Sequence, residues 1–288
     1  MRTRLVLALA CAAALGGCAI VIAPNDGDVR VHSAFSDNTV AGNGMPARDE
    51  RAVAALPGLD VGGAMLVEVR VGPAPSLLIE ADSNLLPYIR TESRGDTLRI
   101  SSERNLRSGN PIRVTYTVPS LTQVRSSGSG RMVVRGLDGA PLAVRQGGSG
   151  LVKLVGNVAS LDAKVSGSGH LDATELKSAS AELDLTGSGR VTLGQLRGDY
   201  ARASVQGSGL LQATGAVRSL NVRVHGSGNA DMAGLASDQA DLVTNGSGGI
   251  TATVKRSLIA RSNGSGGIRV YGNPAQRSVS GNHVHLLD

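Results

Sequence analysis

The tripeptide Gly-Ser-Gly begins at Gly128, Gly148, Gly167, Gly187, Gly207, Gly226, Gly246 and Gly264, at separations of 20, 19, 20, 20, 19, 20 and 18 residues. Self-similarity at a fixed period of this size is the signature of a solenoid, in which each repeat packs only on its neighbours. With the first glycine of each triplet as position zero, positions −6, −4 and −2 read Leu161, Ala163, Val165, then Ala181, Leu183, Leu185, then Leu220, Val222, Val224. Positions +4 and +6 are apolar in all eight repeats, from Met132 and Val134 to Ile268 and Val270. Alternation of period two on both sides of the triplet predicts two strands per repeat, each sending every second side chain inward. A further apolar residue at +9 (Leu137, Leu176, Leu196, Leu235) is expected to tuck in at a second bend.

Such a unit buries too little apolar surface to order itself, so each coil needs a coil above and below it. Stacking gives backbone hydrogen bonds on both sides and a continuous aliphatic column, with a rise of about 4.8 Å per coil. The expected fold is all-β, a parallel β-solenoid (β-helix) of about 19 to 20 residues per coil. Composition agrees: with 39 Gly, no Trp, one Phe and four Tyr, the interior is filled by aliphatic residues and the corners are turned by glycine. "SVSGNHVHLLD" at the end of the chain reads as a degraded ninth coil, with Gly281 standing for a triplet glycine. Before the repeats, residues 52–120 carry strand-like stretches such as "LDVGGAMLVEVRVG", "PSLLIEA", "DTLRISS" and "PIRVTYTVPS", a β-rich block that continues the stack. The repeat region proper runs over 121–288.

The chain opens "MRTRLVLALACAAALGGC", with Arg2 and Arg4 before a short apolar run, which reads as an export signal over 1–17. Leu15-Gly16-Gly17-Cys18 resembles the lipobox of bacterial lipoproteins, which implies a lipidated Cys18 and a membrane-anchored envelope protein; Ala19 after the cysteine implies sorting to the outer membrane. Residues 18–51, rich in Asn, Asp, Gly and Pro, read as a tether. Without the signal, 27 basic side chains stand against 23 acidic ones, a balance of +4 with no aromatic platforms, which argues against nucleic acid as a partner. With Cys18 lipidated no thiol is left for a disulfide or a cysteine metal site.

Motifs for cofactors fail on spacing. A dinucleotide fingerprint must open a helix, whereas strand patterns follow every triplet here, and the triplets are not followed by the Lys-Ser/Thr of a phosphate loop. His283 and His285 share a strand face, but two exposed terminal histidines do not make a metal site, so neither cofactor nor metal is expected. Asp162 and Glu182 share outward position −5 with Asp241 further on, but Arg202 and Asn221 interrupt the set, so a glycosidase-like pair of carboxylates is not read there. The triplet serines form a column of small hydroxyls for which local turn bonding suffices. Position −3 reads Arg125, Arg145, Lys164, Asp184, Ser204, Arg223, Val243 and Arg261. Its five cations form the candidate ligand stripe, suited to an anionic glycan, lipopolysaccharide phosphate or an acidic envelope protein, or else to keeping a repetitive sheet soluble.

The block from Leu56 to Ser101 followed by "IRVTYTVPSLTQVRSSGSG" resembles the head-GIN domain family, described as autotransporter-adhesin heads, over about residues 52–286. The strongest marker is "DSNLLPYIRTESRGDTLRIS", Asp82 to Ser101; Gly62-Gly63-Ala64 stands where the family has its glycine-led turn, without the Gly-Ile-Asn of the name. The resemblance implies a β-helical, envelope-associated protein in a family without established catalytic residues, and the leading expectation is a non-enzymatic, adhesin-like lipoprotein whose solenoid binds a glycan or protein partner. A structural module without a ligand, or a β-helix carbohydrate-active enzyme, are the alternatives.

Overall fold

The computed structural model describes residues 20–21, 32–33 and 39–287, so Cys18 and the expected signal over 1–17 lie outside the described residues, as does most of the expected tether. The chain divides into two units, Met1–Thr39 and Val40–Asp288. In the first, Ile20–Val21 pairs antiparallel with His32–Ser33. The second is the solenoid. The tether reading fails at its end: Pro46–Arg51 is a strand, paired antiparallel with Ser76–Asp82.

Long strands at Leu151–Gly167, His170–Gly187, Arg190–Gly207, Leu210–Gly226 and Asn229–Gly246 run parallel, row upon row. Register holds the triplets in one column, Gly148 over Gly167, Gly187, Gly207, Gly226 and Gly246. The inward columns hold as well: Leu161, Ala181, Ala201, Leu220, Ala240 and Leu258 lie in successive rows, each 5% exposed or less.

Each coil turns three corners where two strands were expected. In the coil of Leu171 the buried positions are Leu171 and Ala173, then Leu176 and Ser178, then Ala181, Leu183 and Leu185. Alternation slips by one residue after Ala173 and again after Ser178, where the register with the next row also shifts. A strand cannot change the face it buries without bending, so each slip marks a corner. Position +9 therefore belongs to a short third side rather than to a bend. Gly156, with φ +131°, turns one of these corners, and a Cβ on it would lie 2.4 Å from the Leu137 carbonyl oxygen of the row before.

The repeats rest on an N-terminal cap. Gly58–Gly62 lies parallel to Gln123–Gly128, and Leu66–Val71 parallel to Arg131–Gly139, with Gly63 at φ +106° beneath Gly128. This is a coil without the serine. Thr97–Ser102 and Arg113–Val118 continue the rows in parallel. Antiparallel strands then close them: Ile89–Arg94 on one side, Ser76–Asp82 and Pro46–Arg51 on the other. Charged outer strands such as Pro46–Arg51, which opens on proline, blunt the free edges of the sheet. Asp82, 1% exposed, accepts hydrogen bonds from the Ser108 hydroxyl and the Asn110 amide, which hold its carboxyl below the usual range. Asn84 donates to the Ala41 carbonyl. The acidic-asparagine marker thus ties the loops of the cap together.

At the other end the register corrects the ninth coil. Arg261 faces Ser280 and Ile268 faces Val284, so a corner that takes seven steps in the coil before is cut to four. Gly281, φ +99°, lies over Ser262 and not in the triplet column.

Candidate functional site

The triplet is a stacking device. Gly187 has φ +109°, and a Cβ on it would lie 2.6 Å from the Gly167 carbonyl oxygen; on Gly189 it would lie 2.6 Å from that of Gly169. Those carbonyls accept hydrogen bonds from the Ser188 and Arg190 N–H groups at 3.0 and 2.9 Å. Both glycines are thus required by the row below, while all eight serine side chains face solvent. Position −2 adds a second device: buried Gln146, Thr244 and Ser262 donate to the carbonyls of Gly150, Gly248 and Gly266 at 2.6, 2.9 and 2.6 Å.

Position −3 is a true column. Asp60, Arg125, Arg145, Lys164, Asp184, Ser204, Arg223, Val243 and Arg261 occupy successive rows. Arg125, Arg145 and Lys164 are therefore brought together on three adjacent rows, about 4.8 Å apart at the backbone. Arg223 and Arg261 are not: Asp184 and Ser204 separate Arg223 from Lys164, and Val243 separates it from Arg261.

The cations are less free than the sequence suggests. Arg145 binds Asp162 of the next row in a fork, Nη1 to Oδ1 at 3.0 Å and Nη2 to Oδ2 at 2.7 Å. Lys164 reaches Asp184 at 3.6 Å, and Arg261 reaches Asp241 at 3.8 Å. Arg223 donates to the Asn221 amide oxygen at 2.8 Å. Asp162 thus serves as a partner for Arg145 across the row boundary. The sequence signal for this was available: an acid at −5 one row beyond a base at −3 sits on the diagonal of a parallel sheet.

Arg125 and Lys164 flank a shallow groove of about 470 Å³, lined with Asp60, Ser127, Arg145, Gly147 and Ser166. Gly147, with no side chain, opens its floor between Ser127 and Ser166 in the neighbouring rows. Arg145, held by its fork to Asp162, stands between Arg125 and Lys164 in the column. The arrangement can present several hydrogen-bond donors and positive charge to an anionic oxygen at a water-exposed surface. It offers no aligned nucleophile and base, and among the described residues no three His, Cys, Asp or Glu side chains gather to hold a metal.

Fold and site define a parallel β-solenoid with a filled aliphatic interior and a polar outer face carrying a cationic groove. The family model "Putative auto-transporter adhesin, head GIN domain" matches residues 56–194 and 164–274, and the chain belongs to that family. No protein of curated function matches the chain. Among solved structures, one described as a putative adhesin from Parabacteroides merdae is similar at 20% identity and TM-score 0.67, covering 87% of this chain and 99% of that one. A putative adhesin from Parabacteroides distasonis is similar at 21% identity and TM-score 0.68, covering 86% of this chain and 100% of that one. A structure described as a putative lipid binding protein from Parabacteroides distasonis is similar at 22% identity and TM-score 0.63, covering 87% of this chain and 100% of that one.

Proposed function

We propose that this protein is a non-catalytic binding module of the bacterial cell envelope, anchored by lipid on Cys18 in the outer membrane, whose Arg125–Arg145–Lys164 groove engages an anionic glycan. The observation that carries the reading is the placement of three cations on three adjacent rows around a groove floored by glycine. The adhesin description of the family supports a binding role over a catalytic one. A sugar acid or phosphorylated sugar fits the groove because its repeating charges can meet cations at row spacing, whereas a lipid tail finds no room in an interior whose columns are filled.

A second reading, a structural envelope module without a ligand, draws on the ion pairs of Arg145, Lys164 and Arg261, which make the face self-satisfied. The two separate on an array of anionic polysaccharides probed with the full chain. Retention that disappears in the Arg125→Glu, Arg145→Glu, Lys164→Glu triple variant supports the groove. Absence of retention for the wild type, or equal retention by the variant, leaves the structural module.

A further inference from the structure

A second depression lies further along the same face, and its charges are arranged differently. It has a volume of about 330 Å³ and is lined by Glu182, Asp184, Arg202, Ser204, Asn221 and Arg223. Ser204 is the short residue of the −3 column, between Asp184 and Arg223 in the adjoining rows, so it forms the floor. Glu182 and Asp184 lie on one side, in the row before Ser204. Arg202 lies in the row of Ser204, and Arg223 in the row after it.

Glu182 and Arg202 face each other in register, and two such neighbours ordinarily close into an ion pair. Here they do not. The Arg202 guanidinium is turned away over the ring of Tyr200, 5.8 Å from its centroid. Glu182 has neither ion pair nor hydrogen bond among the described residues, whereas its neighbour Asp184 is held by Lys164 at 3.6 Å. The depression therefore has an acidic wall with an unpaired carboxylate, the Arg223 guanidinium opposite, the Arg202 side chain beside it with its guanidinium resting on Tyr200, and a floor with a hydroxyl, so that a bound carboxylate would draw Arg202 off the ring.

We infer that this depression is a binding site for a compact zwitterion of amino-acid type, with its ammonium on the Glu182–Asp184 wall and its carboxylate between Arg202 and Arg223. Each ligand charge then meets the opposite charge, and Ser204 can donate to the carboxylate. The acidic residues lie one row from Arg202 and two rows from Arg223, roughly 4.8 and 9.6 Å at the backbone, which suits an ω-amino acid better than an α-amino acid. The site adjoins the Arg125 groove through the Lys164–Asp184 ion pair, but its zwitterion-binding groups, Glu182, Arg202, Ser204 and Arg223, are not those of the groove.

The test is a ligand titration of the full chain followed by the Nε–Hε NMR signals of Arg202 and Arg223, with 4-aminobutyrate as probe and butyrate and butylammonium as single-charge controls. Saturable shifts at millimolar 4-aminobutyrate, with at least about tenfold weaker response to either control, are expected. Ser204→Tyr, which fills the floor, and Glu182→Gln should each abolish the response while thermal unfolding stays unchanged. Arg125→Glu should leave it intact. No saturable shift, equal binding of butyrate, or full binding by Ser204→Tyr overturns the inference. If a variant unfolds, the control ligands on the wild type still decide.

Discussion

Gly187 and Ser188 are neighbours in one triplet with opposite consequences. The glycine adopts a φ that L side chains avoid, and its missing Cβ is where the Gly167 carbonyl oxygen of the row below sits. The Gly187→Val variant should lose more than about 1 kcal/mol in chemical denaturation, because strain and a backbone clash add. Ser188→Ala should be neutral, since the serine contributes its N–H to the stack and not its hydroxyl. Asp82 carries the pH dependence of the cap. Its folded pKa lies below the unfolded value of 3.8, so its contribution is complete above that value and is lost as pH falls through the lower folded one. Asp82→Asn should lower the melting temperature at neutral pH and flatten its decline in acid; an unchanged acid limb would exclude Asp82 as its source. The roles of the two glycines follow from sequence, because a repeated corner needs residues without Cβ. The partners of Asp82 do not, because Ser108 and Asn110 reach it across 26 and 28 residues of chain with no periodicity to guide them.

A coil is legible in sequence where its length is constant. The sides on either flank of the triplet keep fixed spacing, and their inward columns at −6, −4, −2, +4 and +6 are those the structure buries. The third side is where the repeat varies between 18 and 20 residues, so its columns drift and the second and third corners stay hidden. Glycine at +8 in Gly136, Gly156, Gly215 and Gly272, all with positive φ, was the available clue. Packing in the constant sides is correspondingly tight. Leu183, 2% exposed between Ala163 and Ala203, should cost about 2 to 5 kcal/mol when changed to Ala, measured by denaturant unfolding. A loss well under 1 kcal/mol would mean that small residues above and below let the column collapse. The cationic stripe shows the limit of one column read by itself: register puts all five cations on one line, and the neutralisation of three of them by Asp162, Asp184 and Asp241 becomes legible when columns −3 and −5 are read together across rows.

At the scale of the whole chain, the larger unit, Val40–Asp288, is a capped, filled solenoid. The proposed lipid anchor rests on one residue: Cys18→Ser should move the protein from the membrane pellet to the soluble fraction, and continued pelleting would contradict the anchor. In the proposed reading the solenoid contributes the order of charges along one face, with three adjacent cations first and the dipolar depression after them. The most direct measurement is equilibrium binding of the full chain to the best anionic polysaccharide across a salt series, comparing Arg125→Glu, Arg145→Glu, Lys164→Glu with Arg223→Glu, Arg261→Glu. The groove reading predicts affinity that falls with salt and is abolished only by the first set, since exposed charges are screened and the second pair is separated from the groove. Equal loss from both sets, or binding indifferent to salt, would contradict it.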